Sequence, residues 1–361
     1  MPRTRATLAD VARAAGVSST AASLVLSGRA REMRISRDVE ERVVRAAGEL
    51  SYRRNFVSVG LRTGRTGTLG FVSDTVATSQ LAGNMIKGAL ERARERDLML
   101  LIAESGGDPD DERRLLAAMG DRQVDGLVLA SMYTRERDDP TPGVHVPVVL
   151  LNAAAPAGSG VPTVVPDELG AGRAAARTLL AAGHRDGIHL VGVGVTAEEV
   201  PPGTVAGLER LRGITEALAE VGERPAGGML CTAWQPPDGY EATRALLAHD
   251  RPTALLCFND HLALGAYQAL AEAGLRVPDD VSVVAFDDVP LAGWLRPALT
   301  TVALPHHALG RAAIDVLVDL VGGGSGDGGA HDGHGDGPAH VRLPMPLRVR
   351  ESVAPPREHP V

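Results

Sequence analysis

The chain has 361 residues, enough for two or three folding units, and 44% of them are hydrophobic, as is usual for a globular protein. No apolar run approaches the roughly 18–20 residues of a membrane-spanning helix, and Arg3 and Arg5 are not followed by the apolar segment of a secretory signal. Two cysteines, Cys231 and Cys257, cannot build a disulfide framework and lack metal-ligand spacing. We therefore expect a cytoplasmic protein.

Charge divides the chain into a basic head and an acidic body. Residues 1–65 contain 13 arginines, no lysine and six acidic residues, a net charge of +7. Residues 66–361 contain 24 basic and 39 acidic residues, a net charge of −15. Only the head is therefore suited to approach a polyanion such as DNA. A solvated charged face explains the same counts equally well.

Three short helices are predicted in the head. Thr7 and Asp10 form a capping pattern before an apolar stripe with helical spacing, and Gly16 ends that helix. Ser18 can cap a second helix, and Ser36 precedes a third. A helix, a glycine-containing turn and a second helix form the arrangement that lays the second helix in a DNA groove.

The head resembles the DNA-binding segment of the lactose-repressor family of bacterial transcription regulators. The matching runs are dense and collinear. They are Thr7–Ala12, Ala15–Ser18, Val25–Gly28, and Tyr52–Asn55 leading to Leu61–Thr66. The resemblance implies a helix-turn-helix domain over 1–53 and a hinge helix with linker over 54–66.

The resemblance also implies which side chains meet DNA. Ser19, Thr20 and Leu24 take the base-reading positions of the second helix. The positions facing phosphates are Thr7, Ser18, Ser23 and Asn55. Many relatives have an arginine at the position of Leu24, where it grips guanine, and leucine can offer only apolar contact. Our hypothesis is that the DNA half-site lacks that guanine; the alternative is that Leu24 packs inward.

The hinge departs from the family pattern. Asn55–Leu61 corresponds to a helix that forms over the centre of a palindrome, where Leu61 would wedge into the minor groove. Arg54 stands where proline is common, and Gly60 costs about 1 kcal/mol relative to alanine in a helix. We expect a hinge that is ordered only on DNA. The alternative, an ordinary linker, is disfavoured by the spacing of Leu61 from Tyr52.

The body alternates short apolar runs with helical segments, a pattern typical of parallel sheets covered on both faces. The predicted strands are Thr68–Ser73, Leu98–Ala103, Gly126–Ala130, Val146–Asn152, Ile188–Val193, Thr253–Asn259 and Ser282–Asp287. The predicted helices are Met85–Arg96, Leu169–Ala182, Gly207–Val221, Tyr240–His249 and Leu262–Ala273. About 270 residues of this pattern favour two doubly wound lobes over one.

The body also resembles the effector domain of the lactose-repressor family, which is related to periplasmic sugar-binding proteins. The matching residues are Arg210–Gly213, Asn259–Asp260 with Ala263–Gly265, Val283–Asp288 and Ala298–Val302. The fold class expected is thus an all-α head joined to an α/β effector domain of two parallel-sheet lobes.

Domain boundaries follow from this reading of the body. The effector-binding and dimerisation domain is expected over 67–350. One lobe would comprise about 67–164 plus 298–321, and the other about 165–297 plus 341–350. Residues 322–340 are rich in glycine, histidine and aspartate and predict a flexible loop, and 351–361 a short tail.

Polar residues at strand ends are the candidates for ligand binding, since ligands of doubly wound sheets bind beyond the carboxyl ends of strands. The resemblance implies an effector cleft lined by Asn152, Arg210, Trp234, Asn259 and Asp287, to which we add Asp74 at the end of the first strand. Amides, carboxylates, a forked guanidinium and an indole suit a sugar or sugar derivative. The alternative for each Asn and Asp is a turn or helix cap, as we expect for Asp260 and Asp288.

Two departures from the family touch the expected first-lobe wall. Thr75–Gln80 replaces the Asn-Pro-Phe-type stretch of many relatives, and Leu304 stands where some sugar-responsive members have a polar side chain. The identity of the effector therefore stays open.

Other signals are weak. Gly192, Gly194 and Ala197 have dinucleotide-loop spacing, but no acidic residue clearly follows the next strand. His331 and His334 lie in the glycine-rich loop, where metal capture would be adventitious. No nucleophile–base–acid set stands out, so we expect no enzyme, no cofactor and no metal site.

The leading hypothesis is a homodimeric transcription regulator, a repressor by resemblance, whose binding to a near-palindromic operator is controlled allosterically by a small effector. A solute receptor would require an export signal and would leave residues 1–65 without use. An enzyme on a doubly wound fold would require a phosphate loop or a catalytic set.

Overall fold

The computed structural model describes residues 6–52, 65–79, 82–137, 143–156, 158–323 and 340–357. They belong to two compact units, Met1–Gly67 and Thr68–Val361. Arg54, Asn55, Gly60 and Leu61 lie outside the described residues, so the expectations for the hinge stay predictions. The same holds for the glycine-rich loop beyond Gly323. Within the described residues, no helix is long and apolar enough to cross a membrane.

Three helices form the first unit: α1 Leu8–Ala15, α2 Ser19–Leu26 and α3 Arg37–Glu49. Thr7 and Asp10 make the predicted capping box, and Gly16 ends α1 in the left-handed region with a φ of 66°. The side chains of Ser18 and Ser36 accept hydrogen bonds at the starts of α2 and α3. The helix-turn-helix head predicted from the sequence is confirmed.

A small apolar cluster holds the three helices together. Its buried members are Val11, Ala12, Ala15, Ala22, Val25, Ala30, Val43, Ala46 and Ala47. Leu24 is half-buried and is not a member of this cluster, which argues against the alternative that it packs inward.

The described part of the second unit contains two six-stranded sheets. The strands are β1 Thr68–Ser73, β2 Met99–Glu104, β3 Gly126–Glu136, β4 Val148–Ala154, β5 Thr163–Pro166, β6 Ile188–Gly192, β7 Gly227–Leu230, β8 Ala254–Cys257, β9 Ser282–Asp287, β10 Thr300–Ala303, β11 His340–Leu343 and β12 Leu347–Arg348. The first sheet has the order β11-β5-β4-β3-β1-β2, and the second β12-β10-β9-β8-β6-β7. All pairings are parallel except that of β12 with β10.

Helices connect the strands and pack on the sheets. They are α4 Gly83–Glu95, α5 Pro109–Asp121, α6 Glu168–Ala181, α7 Val205–Ala219, α8 Pro236–His249, α9 Asp260–Glu272, α10 Pro290–Trp294 and α11 His306–Gly323. This is the predicted pair of doubly wound parallel sheets. Each sheet has its own apolar core, because strands covered by helices on both faces bury both sets of side chains.

The predicted lobe boundaries are wrong near the C-terminus. β10 pairs with β9 in the second sheet, although 298–303 was assigned to the first lobe. Conversely, β11 pairs with β5 in the first sheet, although 341–343 was assigned to the second lobe. The reason is that strand pairing is decided by which sheet offers a free edge, and the hydrophobic pattern of a four-residue strand does not encode that choice.

The segment after Arg350 is also more than a tail. Ser352 is buried, its carbonyl accepts a hydrogen bond from Val283 N at 2.8 Å, and its hydroxyl accepts one from Thr300 N at 2.8 Å. The described residues 351–357 therefore belong to the second lobe.

Glycines set the distance between three pairs of neighbouring helices. α4 meets α11 at Gly88 and Gly310, and a Cβ atom on either glycine would collide with a carbonyl of the facing helix. The same arrangement joins α6 to α7 at Gly172 and Gly213, and α8 to α9 at Gly239 and Gly265. These helices pack backbone against backbone, so even a methyl group is too large at the contact.

Replacing Gly310 by alanine is expected to lower the free energy of unfolding of the second unit by about 1–3 kcal/mol, because the added Cβ meets the carbonyl oxygen of Met85. Urea unfolding followed by circular dichroism measures the change. Gly120→Ala in α5 is the matched control: its Cβ meets no atom within 4 Å, so helix propensity should make it neutral or stabilising. Equal stabilities for the two variants would contradict the packing argument.

Candidate functional site

A cavity of about 360 Å³ lies in the second unit, within the size range of small-molecule sites. Five of the six residues predicted to bind an effector line it: Asn152, Arg210, Trp234, Asn259 and Asp287. Its wall draws on both sheets, since Asn152 belongs to β4 and Asp287 ends β9. The cavity thus lies between the lobes.

Arg210 connects several elements of the cavity wall through its hydrogen bonds. It lies inside α7, within the helix predicted over Gly207–Val221, and is 3% exposed. Its Nε and Nη2 donate to the two carboxylate oxygens of Glu168 at 2.6 and 3.1 Å. Nη2 also donates to Asp287 Oδ1 at 3.3 Å, and Nη1 to the carbonyl oxygen of Phe258 at 2.6 Å. The guanidinium therefore joins α6, α7 and the ends of β8 and β9.

Burial and charge act in opposite directions on this cluster. Burial raises the pKa of Glu168, and the charge of Arg210 lowers it. For Arg210, burial favours the neutral form, but the carboxylates of Glu168 and Asp287 outweigh it and raise the pKa of the guanidinium. With two bonds between them, Glu168 and Arg210 are best described as a buried ion pair.

The two asparagines serve the fold and the cavity at the same time. Asn259 caps α9 by accepting from Leu262 N at 2.7 Å, and its amide donates to the carbonyl of Trp234 at 3.0 Å. Asn152 accepts from the Thr134 hydroxyl at 2.7 Å and donates to the carbonyl of Ser131 at 3.1 Å. The helix-cap alternative for Asn259 is therefore correct, and the residue still lines the cavity.

Three residues of the cavity wall have left-handed backbone. The φ angles are 55° for Asn152, 53° for Trp234 and 105° for Asp287. Non-glycine residues seldom adopt such angles, and asparagine and aspartate tolerate them best. Strained backbone is often found at binding sites, where the surrounding structure holds it in place.

Trp234 provides an aromatic face on one side of the cavity. Its indole nitrogen donates to the carbonyl of Gly192 at 3.0 Å, and its ring meets Phe258 edge-on at 5.7 Å. The glycine loop whose spacing suggested a dinucleotide site thus holds this tryptophan. Part of the ring remains exposed to the cavity.

Asp74 is the predicted residue that does not line the cavity. Its carboxylate accepts from the backbone N–H of Met132 at 3.0 Å and pairs with Arg135 at 3.0 Å. It orients the end of β3, where Met132 and Tyr133 reach the cavity. The effector-binding role for Asp74 is therefore corrected to one of support.

Asp260 and Asp288 have the supporting roles expected of them. Asp260 is 1% exposed and accepts from Val289 N at 2.8 Å and from the Thr301 hydroxyl at 2.7 Å. Asp288 accepts from Arg350 at 2.6 Å.

The two departures from the family pattern noted in the sequence differ in position. Leu304 lines the cavity, whereas Thr75–Ser79, the described part of the other departure, does not.

Glu168 and His306 are among the polar residues of the cavity wall that sequence reasoning missed. Glu168 starts α6, and its role is visible only through Arg210. His306 is 8% exposed, and its buried Nε2 has no hydrogen-bond partner among the described residues. Burial lowers the pKa of His306, so this imidazole is neutral near pH 7. Adjacent His307 bonds to Glu91 at 2.8 Å instead, and no cluster able to hold a metal occurs in the described part of the chain.

In the first unit, the described residues expected to meet DNA lie on or beside α2, apart from Thr7 at the start of α1. Ser18, Ser19 and Thr20 are exposed, and Ser23 and Leu24 are half-buried. Ser18 Oγ accepts from Ala21 N at 3.1 Å, which leaves its hydroxyl hydrogen to donate outward. Thr7 is exposed too, but its hydroxyl donates to Asp10 at 2.7 Å. Asn55 and Leu61 lie outside the described residues.

Comparison with known proteins matches both units to family descriptions. Residues 7–55 match bacterial regulatory proteins of the lacI family, and residues 176–353 match the periplasmic binding protein-like domain. A transcriptional repressor of Haemophilus influenzae, PurR, is 31% identical over 321 residues, which cover 88% of this chain and 91% of that protein. PurR of Klebsiella pneumoniae is 30% identical, with coverage of 88% and 90%.

The chain belongs to the lacI family of bacterial regulatory proteins. Members of this family are transcriptional regulators and not enzymes. This lacI-family protein is a DNA-binding transcriptional repressor, and its effector is a small ligand of the periplasmic-binding-protein-like domain.

Solved structures agree with the fold. The Lac repressor dimer bound to operator and the anti-inducer ONPF has a TM-score of 0.75 over 97% of this chain and 100% of that one, at 24% identity. The CelR–cellobiose complex has a TM-score of 0.65 at 29% identity, covering 96% and 100% of the two chains.

Glu168→Gln is expected to lower the free energy of unfolding by about 3 kcal/mol or more, because Arg210 keeps its charge in a buried site and loses its main partner. Denaturant unfolding measures this. Glu220→Gln is the matched control: Glu220 pairs with Arg177 at 3.0 Å between the same two helices but at the surface, so the cost should stay below about 1 kcal/mol. Similar costs for both variants would show that burial of the inner pair is unimportant.

Proposed function

We propose that this repressor binds a near-palindromic operator as a homodimer and that a sugar or sugar derivative in the inter-lobe cavity controls this binding. The observation that carries the proposal is the cavity itself. It places Arg210, Asp287, Asn152 and Asn259 around one space beside the ring of Trp234. Forked donors, carboxylate and amide groups and an aromatic face together suit a small polyhydroxylated ligand.

The position of the cavity supports control by the effector. Residues from both lobes line it, so a ligand that touches both has a different affinity for open and closed arrangements of the lobes. A ligand can shift an equilibrium only through such a difference. A change of lobe closure would alter the dimer and thereby bias the hinge over 54–66, which we propose as the element that transmits the change to DNA.

Comparisons support the choice of ligand and partner. The CelR structure, at 29% identity, is a complex with cellobiose, so a sugar occupies a protein with this domain arrangement. The Lac repressor structure, whose fold this chain shares, is a dimer on its operator. A symmetric dimer reads two half-sites that are related by the same two-fold axis.

The effector proposal is tested on DNA from upstream of the protein's own gene. In a gel shift, a sugar that occupies the cavity should change the operator affinity of the wild type at least about fivefold, the lower end of allosteric coupling. Trp234→Ala should reduce this response, because the ring lines the cavity. Trp294→Ala is the matched control, since Trp294 is 74% exposed and is not among the described residues of the cavity wall. Specific DNA binding that no sugar alters would contradict the proposal.

The Leu24 hypothesis is tested by selecting binding sites from random DNA. Leu24→Arg is expected to introduce a guanine preference at one symmetry-related pair of positions, worth about 1–3 kcal/mol against other bases, because arginine grips guanine with two hydrogen bonds. Leu50→Arg adds the same charge just after α3, where Leu50 is partly exposed, and should raise affinity for all sequences equally. Identical preferred sites for wild type and Leu24→Arg would refute the hypothesis.

A further inference from the structure

The end of β3 leaves the regular sheet of the first lobe in a bulge. Pairing with β4 stops at Ala130 and resumes at Arg135, and Asn152 alone opposes the segment Ser131–Thr134, which we call the β3 bulge. Extra residues of this kind bend a strand and redirect its end. The bulge lies at the opening of the cavity, because Tyr133 lines the cavity and is also 52% exposed.

Contacts within the first lobe hold the β3 bulge in shape. The side chain of Asn152 bonds to both ends of the bulge. The carboxylate of Asp74 accepts from Met132 N in the middle of the bulge and pairs with Arg135 just beyond it. A segment fixed at several points has little conformational entropy left to lose when another surface docks against it. The bulge is therefore preorganised for a contact outside its own lobe.

Beyond the bulge, β3 reaches the second lobe. Arg135 forms an antiparallel bridge with Thr204, the residue directly before α7, and α7 packs against β3. Farther along α7, Glu209 accepts two hydrogen bonds at 2.9 Å from Arg342 of β11, a strand of the first sheet. The first part of α7 is thus joined to the first lobe at two points, and both contacts use only protein atoms.

We infer that these two contacts, Arg135 with Thr204 and Arg342 with Glu209, form an inter-lobe latch that closes the lobes without a ligand to bridge them. Bridge partners lie only about 4.5–5.5 Å apart at Cα, so the first contact breaks when the lobes separate. The second contact is a bidentate pair that fixes orientation, and it is partly exposed, so water can replace it. The latch is therefore reversible. Only its link to DNA binding rests on the proposed function.

A cysteine pair, Arg135→Cys with Thr204→Cys, tests the inter-lobe latch in the full-length protein. Bridge partners are close enough for a disulfide, and the native Cys231 and Cys257 are buried. In a glutathione redox buffer without sugar, the effective concentration of the two thiols should exceed that of the control pair, Gly120→Cys with Thr204→Cys, at least about tenfold. A Cβ atom at Gly120 meets no atom within 4 Å, so the control pair cannot join in the folded chain.

Glu209→Gln, made alone and in the cysteine background, tests the ion pair of the latch. The effective concentration of the thiols should fall about two- to fivefold, as expected for a partly exposed pair. Glu220→Gln is the matched control: Glu220 is on the same stretch of chain, but its pair with Arg177 lies within the second lobe, so the thiols should be unaffected.

Operator binding without sugar tests the link between the latch and DNA. The disulfide holds the lobes together, whereas Glu209→Gln frees them, so the two changes should shift operator affinity in opposite directions. Reduction of the disulfide should reverse the first shift, which separates closure from any effect of the cysteine substitutions themselves.

The outcomes distinguish the latch from the proposed function. If the cysteine pair joins no more readily than the control pair, the inter-lobe latch is wrong, whatever sugars do. If the disulfide forms as expected and neither change alters operator affinity, the latch stands and control of DNA binding by lobe closure is wrong. If the cysteine variant does not fold, amide exchange over residues 132–136 replaces it, and equal exchange in wild type and Glu209→Gln overturns the latch.

Discussion

The buried contact between Arg210 and Glu168 is the interaction on which the effector domain depends most. One guanidinium ties α6 to α7, holds the carbonyl of Phe258 at the end of β8 and reaches Asp287 at the end of β9. A charge with so little access to water is tolerated only when nearly all its donors are satisfied. The same bonds that satisfy it place the polar groups of the cavity wall, so stability of the second lobe and shape of the ligand site have a common origin.

The cavity is also located where the chain passes between the sheets. Glu168 follows the passage from β5 to α6, and Leu304 and His306 lie on the passage from β10 to α11. A third passage joins β11 to β12. A ligand in the cavity therefore touches two of the three passages between the lobes, so its binding can favour one arrangement of the lobes over another.

Much of the fold could be predicted because local signals agree with one another. In the head, the predicted helix boundaries are those of the structure: Thr7 and Ser18 each cap the start of a helix, and Gly16 ends the first one. The strands over Thr68–Ser73 and Ser282–Asp287 have the bounds that their apolar runs predicted. The short strands β5, β7 and β10 were not predicted, because a strand of four residues carries too little hydrophobic pattern.

What the sequence determined by itself is the set of elements and the residues at their ends, since capping, turn geometry and hydrophobic period are properties of neighbouring residues. It therefore identified Asn152, Asn259 and Asp287 as polar residues at strand ends, and the family resemblance implied that they line one cleft. Only the tertiary structure decided that Asp74 supports β3 and does not line the cavity, and that Glu168 neutralises Arg210. It also decided that β10 and β11 each lie in the other sheet from the one predicted. Each of these depends on which distant atoms share a hydrogen bond in the folded chain, and no local pattern records that.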